Sequence, residues 1–295
     1  GWEALVKEEG GRYVAGLPLP VRRKFGLRYL QQPPFAQQLG LFYAPSTPPT
    51  SADWAKIGEL LHQHFWVITQ YAFNTGNTEL LGVGQPGLTG VAFTTYHLPM
   101  QPAYSQLLAG YKPNRRWRLN QARRRGLRIE PSNDIDQLVR LFAENTAPKI
   151  YGLIGEDYEY RMLRDLYAQA EKAGMAELWQ ARSSADYVIA MILLFKFNRK
   201  IIYLFSGASA AGKAAGAISV LLDETFRKYA THDMCFDFEV HDVPGLIEFY
   251  SSFGSKKAPF LTITADRLPW PVRQLKAARV ALYRRLRPRP AANGA

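Results

Sequence analysis

The stretch from Asp186 to Ile263 limits what this chain can fold into more than any other. Tyr187 to Phe195 is almost continuously apolar, the pattern of a strand buried on both faces. The polar break Asn198-Arg199-Lys200 predicts a tight turn, with Ile201 to Phe205 returning as the hairpin partner. A run of small residues from Gly207 to Gly216 follows, after which Ile218, Leu221, Leu222, Thr225, Phe226 and Tyr229 recur at helical spacing. Met234 to Val240 is a second apolar run, into which Asp237 and Glu239 alternate. Pro244 suits the first turn of a further helix and Gly254 the position just past its end. Ala258 to Thr264 reads as the strand that closes the unit. A helix between two strands of one sheet is a crossover, so this part of the sheet is expected to be parallel.

Composition narrows the classes. In 295 residues, 47% hydrophobic and 13% aromatic content supports a real core and excludes global disorder. The single cysteine, Cys235, excludes an internal disulfide and a multi-cysteine metal site; it reads as a small buried hydrophobe and fits a reducing compartment. No apolar run reaches the roughly 18 residues of a membrane-spanning helix. The net charge of +12 favours polyanionic partners: nucleic acid, an anionic membrane surface or a phosphate-rich substrate. The excess lies in two clusters. Arg115, Arg116, Arg118, Arg123, Arg124, Arg125 and Arg128 form one, and Arg273, Lys276, Arg279, Arg284, Arg285, Arg287 and Arg289 the other. Apolar residues interleave both, so amphipathic helices are expected, their charged faces either solvated or touching phosphates and lipid head groups. Contact with tRNA or an anionic membrane is expected through Arg115, Arg116, Arg123, Arg124, Arg284 and Arg285, and the location as cytoplasmic, with a peripheral membrane contact as its extension.

In chain order, residues 2 to 43 look rich in strands and turns, Tyr13 to Leu19 ending at prolines. Trp2 to Val6 already reads as a strand, so the chain is expected to open inside a domain, truncated at its start. Ser51 or Asp53 can cap a helix running through His62, and Phe65 to Phe73 and Gly90 to Tyr96 read as strands. Residues 103 to 126 suggest one long helical stretch, and Asn133, with Asp136 three residues on, resembles a capping box for the next helix. Tyr158 to Ala173 is a further amphipathic helix, stopped by Gly174, and Ala176 to Ala181 begins a second sheet. The result is an α/β (α+β) chain: residues 1–110, a basic helical connector at 111–130, a second mixed half at 131–266 and a basic tail at 267–295.

Three motifs meet their context and fail it. Gly207-x-x-x-x-Gly212-Lys213-Ala214 nearly matches the phosphate loop G-x-x-x-x-G-K-[ST], but Ala214 has no hydroxyl for Mg²⁺. What survives is a small-residue loop opening a helix, whose backbone N–H groups suit a phosphate; Lys213 either assists or is solvated. Gly82-Val83-Gly84-Gln85-Pro86-Gly87 matches G-x-G-x-x-G but precedes a strand, so it reads as a turn. His62 and His64 lack an evident third ligand, and no G-x-S-x-G elbow is present.

Phe249-Tyr250-Ser251-Ser252-Phe253-Gly254 is different. It follows the run holding Asp237 and Glu239, and here the chain resembles the GNAT superfamily of acyl-CoA N-acyltransferases, whose late helix commonly carries tyrosine four residues before glycine. The helix Asn114 to Leu127 and the segment Phe236-Asp237-Phe238 look like the tandem-GNAT branch that contains the Fem-type peptidoglycan aminoacyl transferases. Fem-type enzymes usually carry lysine where Tyr250 stands here. The resemblance implies two GNAT-like halves and transfer of an acetyl or aminoacyl group to an amine, on a small molecule or a cell-wall precursor. The implied donor is acetyl-CoA or another acyl-CoA, with aminoacyl-tRNA second and no metal. It implies Tyr250 as proton donor to the leaving group, Glu239 or Asp237 as base, and donor binding at Ser206, Gly207, Ala208, Gly212, Lys213 and Gly216. Two alternatives stay open: an inactive GNAT-fold module that binds RNA or an anionic membrane, and a phosphate-loop nucleotide enzyme.

Overall fold

The computed structural model of the chain describes residues 1–24, 26–77, 87–145, 157–240 and 244–286. Most of the glycine turn at 82–87, together with His241, Arg287, Arg289 and the side chains of Arg284 and Arg285, lies outside the described residues. The chain divides into two compact units, Gly1–Thr94 with the described segment from Ala258 onward, and Thr95–Lys257.

The first unit carries the sheet order β1 (Trp2–Glu9), β2 (Arg12–Lys24), β3 (Leu27–Leu30), β5 (Val67–Ala72), β12 (Lys256–Asp266). The short β4 (Phe42–Tyr43) pairs with β2. β2 runs through Pro18 and Pro20 rather than ending there: the two carbonyls accept from the Tyr71 hydroxyl and the Gln31 amide, on the side where no ladder N–H is needed. Helix α1 (Ser51–His64) is capped by Thr50, one residue earlier than expected, because Thr50 and Asp53 satisfy each other's amides in a reciprocal box. Trp54, Leu61, Phe65, Ile68, Tyr71 and Phe73 close this unit's core.

β12 is where the expected halves and the observed units differ. The sequence reading put Ala258 to Thr264 at the end of the second half. The strand instead hydrogen-bonds β5, pairing Thr262 with Ala72 and Asp266 with Val67. Its side chains Ile263 and Ala265 fill the first core.

The second unit starts within β6 (Thr89–Pro99) and orders its strands β6, β11 (Cys235–Asp237), β10 (Lys200–Ala208), β9 (Val188–Phe197), β8 (Ala176–Arg182), β7 (Arg128–Ser132). β9 and β10 form the expected hairpin, turning at Asn198 and Arg199 with positive φ. β10 and β11 are parallel, as the crossover requires. The crossover consists of α6 (Ala210–Ala215) and α7 (Ala217–Tyr229). On the other side of the hairpin lie α4 (Ile135–Asn145) and α5 (Asp157–Lys172). The cap of α4 is Asp134, whose carboxylate accepts from the Gln137 amide, rather than Asn133. The stretch from 103 to 126 is two helices, α2 (Tyr104–Ala109) and α3 (Pro113–Arg123), because Pro113 starts a new helix at its N1 position. The expected connector is therefore no linker: α3 packs on α7, with Arg115, Leu119 and Ala122 buried at i, i+4, i+7. Helix α8 (Pro244–Ser251) completes this unit, and α9 (Trp270–Leu286) ends the described chain.

Candidate active site

The parallel pairing of β10 with β11 lasts only from Lys200 to Ile202. β10 continues to Ala208, with a register shift between Tyr203 and Phe205, while β11 stops at Asp237. Beyond that point no strand pairs with this edge of β10 among the described residues. A cavity of about 530 Å³ opens beside it, within the second unit, and its walls come from α3, β10, the α6–α7 junction and α8.

Four features define what this cavity can hold. The first is the start of α7. Gly216 sits in the left-handed region (φ 69°), ending α6 and opening α7 in one residue, and no side chain caps the new helix. The first-turn amides at Ala217 and Ile218 thus stand at the positive end of the dipole, and both residues line the cavity. The second is charge. Arg115, Arg118, Arg125 and Lys213 line the cavity, and no Asp or Glu does among the described residues. Low-dielectric walls focus such a field on an anion.

The third feature is a pair of phenols. Tyr250 is 8% exposed and lines the cavity with Tyr203 and Ser206. Its ring lies 4.7 Å from Phe238 and meets Tyr203 edge-on at 5.9 Å. Burial, followed by the neighbouring Tyr203, drives the Tyr250 hydroxyl far above its ordinary value, so it stays protonated at every working pH. Burial also raises Tyr203, to about 12, with the hydroxyls of Ser206 and Tyr250 acting the other way. The fourth is Arg115 itself, 6% exposed, its Nε and Nη1 donating to the Ser252 and Ser219 hydroxyls at 2.7 Å each.

The residues expected at the site separate. Tyr250, Ser206, Gly212, Lys213 and Gly216 come together around the cavity; Gly207, Ala208, Asp237 and Glu239 do not line it. Gly207 is small for packing: a Cβ there would lie 2.9 Å from the Phe142 amide of α4. A Cβ on Gly212 would stand 2.1 Å from the Ile189 carbonyl oxygen. The run that imitates a phosphate loop is thus a close approach of backbone to α4 and β9, and Ser209 caps α6 through the Gly212 amide. Lys213 donates to the Asn145 carbonyl.

Asp237 is 2% exposed and committed to structure. It accepts from Thr95 (2.8 Å), His97 Nε2 (2.9 Å) and the Glu239 amide (3.0 Å), with Lys200 Nζ at 3.4 Å. Burial pushes its carboxyl up, but the His97 hydrogen bond and the charges of His97 and Lys200 outweigh this and hold it below the usual range. Burial would lower His97, yet hydrogen bonds with Asp237 and Cys235 carry it to about 9. Glu239 does not share a strand face with Asp237, because its φ of 43° breaks the alternation; burial and then the Asp237 charge push it up to about 8. The other partner arginines differ as well. Arg123 pairs with the fully buried Asp223, while Arg116 donates to the Ala109 carbonyl.

Sequence reasoning missed Tyr203, Ser219 and Asp223. A signal existed for two of them: Ser219, Asp223 and Phe226 repeat at i, i+4, i+7 on α7, opposite the Arg115, Leu119, Ala122 stripe of α3.

The family model for the Acetyltransferase (GNAT) domain matches residues 113–244, which supply α3, β10, both crossover helices and most of the cavity wall. Residues 113–244, under half of the chain, thus match a GNAT domain. Solved structures extend the likeness to the rest of the chain. The crystal structure of FemX is similar with a TM-score of 0.60 over 93% of this chain and 90% of FemX, at 15% identity. The C-terminal domain of a putative lysylphosphatidylglycerol synthetase from Agrobacterium fabrum gives 0.52 over 96% and 86%, at 11% identity. L-PGS from Bacillus licheniformis gives 0.51 over 90% and 85%, at 9% identity. No curated protein matches the sequence. At these identities the likeness is one of fold: residues 113–244 sit in a tandem, Fem-like mixed α/β architecture. Among the described residues there is no cluster of three metal-ligating side chains, and no helix is long and apolar enough to cross a membrane.

Proposed function

We propose that this chain is an N-acyltransferase that moves an acyl group from a phosphate-bearing carrier to an amine. The carrier is acyl-CoA in the first place and aminoacyl-tRNA in the second; the amine belongs to a small molecule or a cell-wall precursor. One observation carries the reading: a single cavity joins the uncapped start of α7, a lining that is cationic without a carboxylate, and the Tyr250 phenol. The α7 amides hold carrier phosphate, which places the acyl carbonyl along the unpaired edge of β10. The amine nitrogen attacks that carbonyl, and β10 amides near Tyr203 to Ser206 meet the oxygen as it gains charge. The carbon–sulfur or carbon–oxygen bond to the carrier then breaks, and Tyr250 gives its proton to the leaving atom. The nitrogen loses one proton in forming the amide, and a proton returns to the phenolate, so the balance closes. Asp237 and Glu239 have no part in this scheme.

The test is transfer of labelled acetyl from acetyl-CoA, or of an amino acid from aminoacyl-tRNA, to a panel of amines. Donor-dependent product that falls sharply in Tyr250→Phe supports the reading. Full activity in that variant removes Tyr250 as acid, and no product from either donor removes the reading.

A second reading concerns α9. Its described side chains are exposed, among them Trp270 (67%), Leu275 (71%) and Leu282 (58%), and it carries Arg273, Lys276 and Arg279 without an acidic residue. A helix with exposed apolar and cationic side chains suits an anionic lipid surface, adding a membrane contact to the acyltransferase. Cosedimentation with phosphatidylglycerol vesicles, lost in Leu275→Glu and absent with phosphatidylcholine alone, is the expected result.

A further inference from the structure

The first unit presents a strand edge that its own ladder leaves unused. β1 stands at the end of the sheet order and pairs only with β2 among the described residues. The hydrogen bonds show which of its backbone groups face outward. Gly1 and Val21 exchange both bonds, each nitrogen 2.9 Å from the other's carbonyl oxygen. Hydrogen-bonded and non-hydrogen-bonded pairs alternate along an antiparallel ladder. Trp2, Ala4 and Val6, opposite Pro20, Pro18 and Gly16, therefore turn their N–H and C=O groups away from β2. The two prolines agree with this, because neither has an N–H to give β1. Glu3, Leu5 and Lys7 direct theirs to Leu19, Leu17 and Ala15.

Native proteins blunt such an edge with proline, a bulge or like charge. Between Trp2 and Lys7 the register is regular, no proline occurs, and the two charges, Glu3 and Lys7, are of opposite sign. This edge complements itself. Two copies of it can join antiparallel only with outward residues opposite outward residues, so the two-fold axis must pass through a residue. An axis at Val6 sets Glu3 against Glu9, one at Lys7 sets Lys7 on itself, and one at Ala4 sets Glu3 against Leu5. An axis at Leu5 sets Glu3 against the second copy's Lys7, twice, and Ala4 against its Val6, twice. The outward groups of Ala4 and Val6 then form the hydrogen-bonded pairs. Glu3 and Lys7 fall at the non-hydrogen-bonded positions, where facing side chains stand closer. Within one copy Glu3 meets Arg28, and Lys7 meets Asp53 and Glu9. These side chains are partly exposed, and pairs of that kind exchange partners at little cost. Apolar surface flanks the axis on both faces. Leu5 lines a groove of about 150 Å³ with Ile57 and Leu60 of α1, while Trp2 and Val6 are exposed.

We infer that β1 is the contact through which two copies of this chain associate, antiparallel about a two-fold axis at Leu5. The junction joins the two copies' β1–β2 ladders into one continuous ladder.

The experiment is sedimentation equilibrium of the full chain. A junction of one strand per copy is small, so the concentration series runs from about 1 µM to about 200 µM. The expected result is a reversible monomer–dimer equilibrium within that series. Ala4→Pro should shift its midpoint upward at least about ten-fold, because it removes an outward N–H. Its melting temperature should stay near wild type, since that N–H takes no part in the β1–β2 ladder. Glu3→Lys should weaken the dimer by facing Lys7, and adding Lys7→Glu should restore it. A non-hydrogen-bonded pair on the axis has Cα atoms about 4.5 Å apart, within disulfide reach. Leu5→Cys should therefore cross-link two copies on mild oxidation, and Val6→Cys should not; the wild type, with Cys235 alone, is the control. A monomer at every concentration overturns the inference and leaves the edge to a strand of another protein or to solvent. A dimer whose midpoint is the same in Ala4→Pro overturns it too, as does Val6→Cys cross-linking as readily as Leu5→Cys. If Ala4→Pro melts well below wild type, the two cysteine variants decide.

Discussion

Two arginines of α3 grip the same face of α7, and they differ in what they meet. Arg123 reaches Asp223, a carboxylate with no exposure, which also accepts from the Tyr104 hydroxyl at 2.9 Å and the Tyr111 hydroxyl at 3.0 Å. Arg115, two turns earlier, reaches Ser219 and Ser252. One end of the helix pair is closed by charge pairing and the other is left with surplus positive charge beside a cavity. The same residue type on the same helix thus serves as clamp at one end and as candidate ligand site at the other, and the difference is the presence of a carboxylate.

The contrast can be broken at several points. The largest effect belongs to the open end: Tyr250→Phe should lower the rate of acyl transfer by about 10²- to 10⁴-fold, while the urea midpoint stays near wild type. An equal loss of stability and rate would make Tyr250 a packing residue. At the closed end, Asp223→Ala should destabilise the chain by about 3–5 kcal/mol in urea unfolding, because it strands a guanidinium and two phenols. Arg115→Met should not; similar losses from both changes would erase the distinction between clamp and site.

What the sequence showed follows from what each pattern encodes. The hairpin at Val188–Ala208 and the crossover through α7 were legible because burial on both faces and helical spacing are local signals. The partner of β12 was not, since an apolar run states that a strand is buried and not which strand it joins; β5 lies about two hundred residues earlier. Seven arginines between 115 and 128 looked alike, and only the apolar residues at 119 and 122 set Arg115 on the inward face. Gly207 and Gly212 misled in the opposite direction: glycine spacing records close backbone approach, and a phosphate is only one of the things that can approach.

Smaller effects sharpen the account. Gly212→Ala should cost about 1–3 kcal/mol in urea unfolding, because the Ile189 carbonyl must move. The His97–Asp237 pair gives a change that depends on pH. His97 is raised to about 9, so its contribution is fully present below its ordinary value near 6.5 and is lost as pH climbs towards 9. Glu239, raised to about 8, loses stability in the same direction, so the pair is read as wild type minus His97→Gln. That difference should shrink as pH rises from 6 to 9.5, by about 3 kcal/mol at most. A difference that grows with pH would reverse the assignment.

Hydrogen exchange across the second unit, with and without acetyl-CoA, tests the central claim most directly. The amides at Ala217 and Ile218, together with the β10 edge at Tyr203 to Ser206, should exchange more slowly when the donor is bound. Donor binding that leaves α7's first turn unchanged and slows exchange elsewhere would contradict the account.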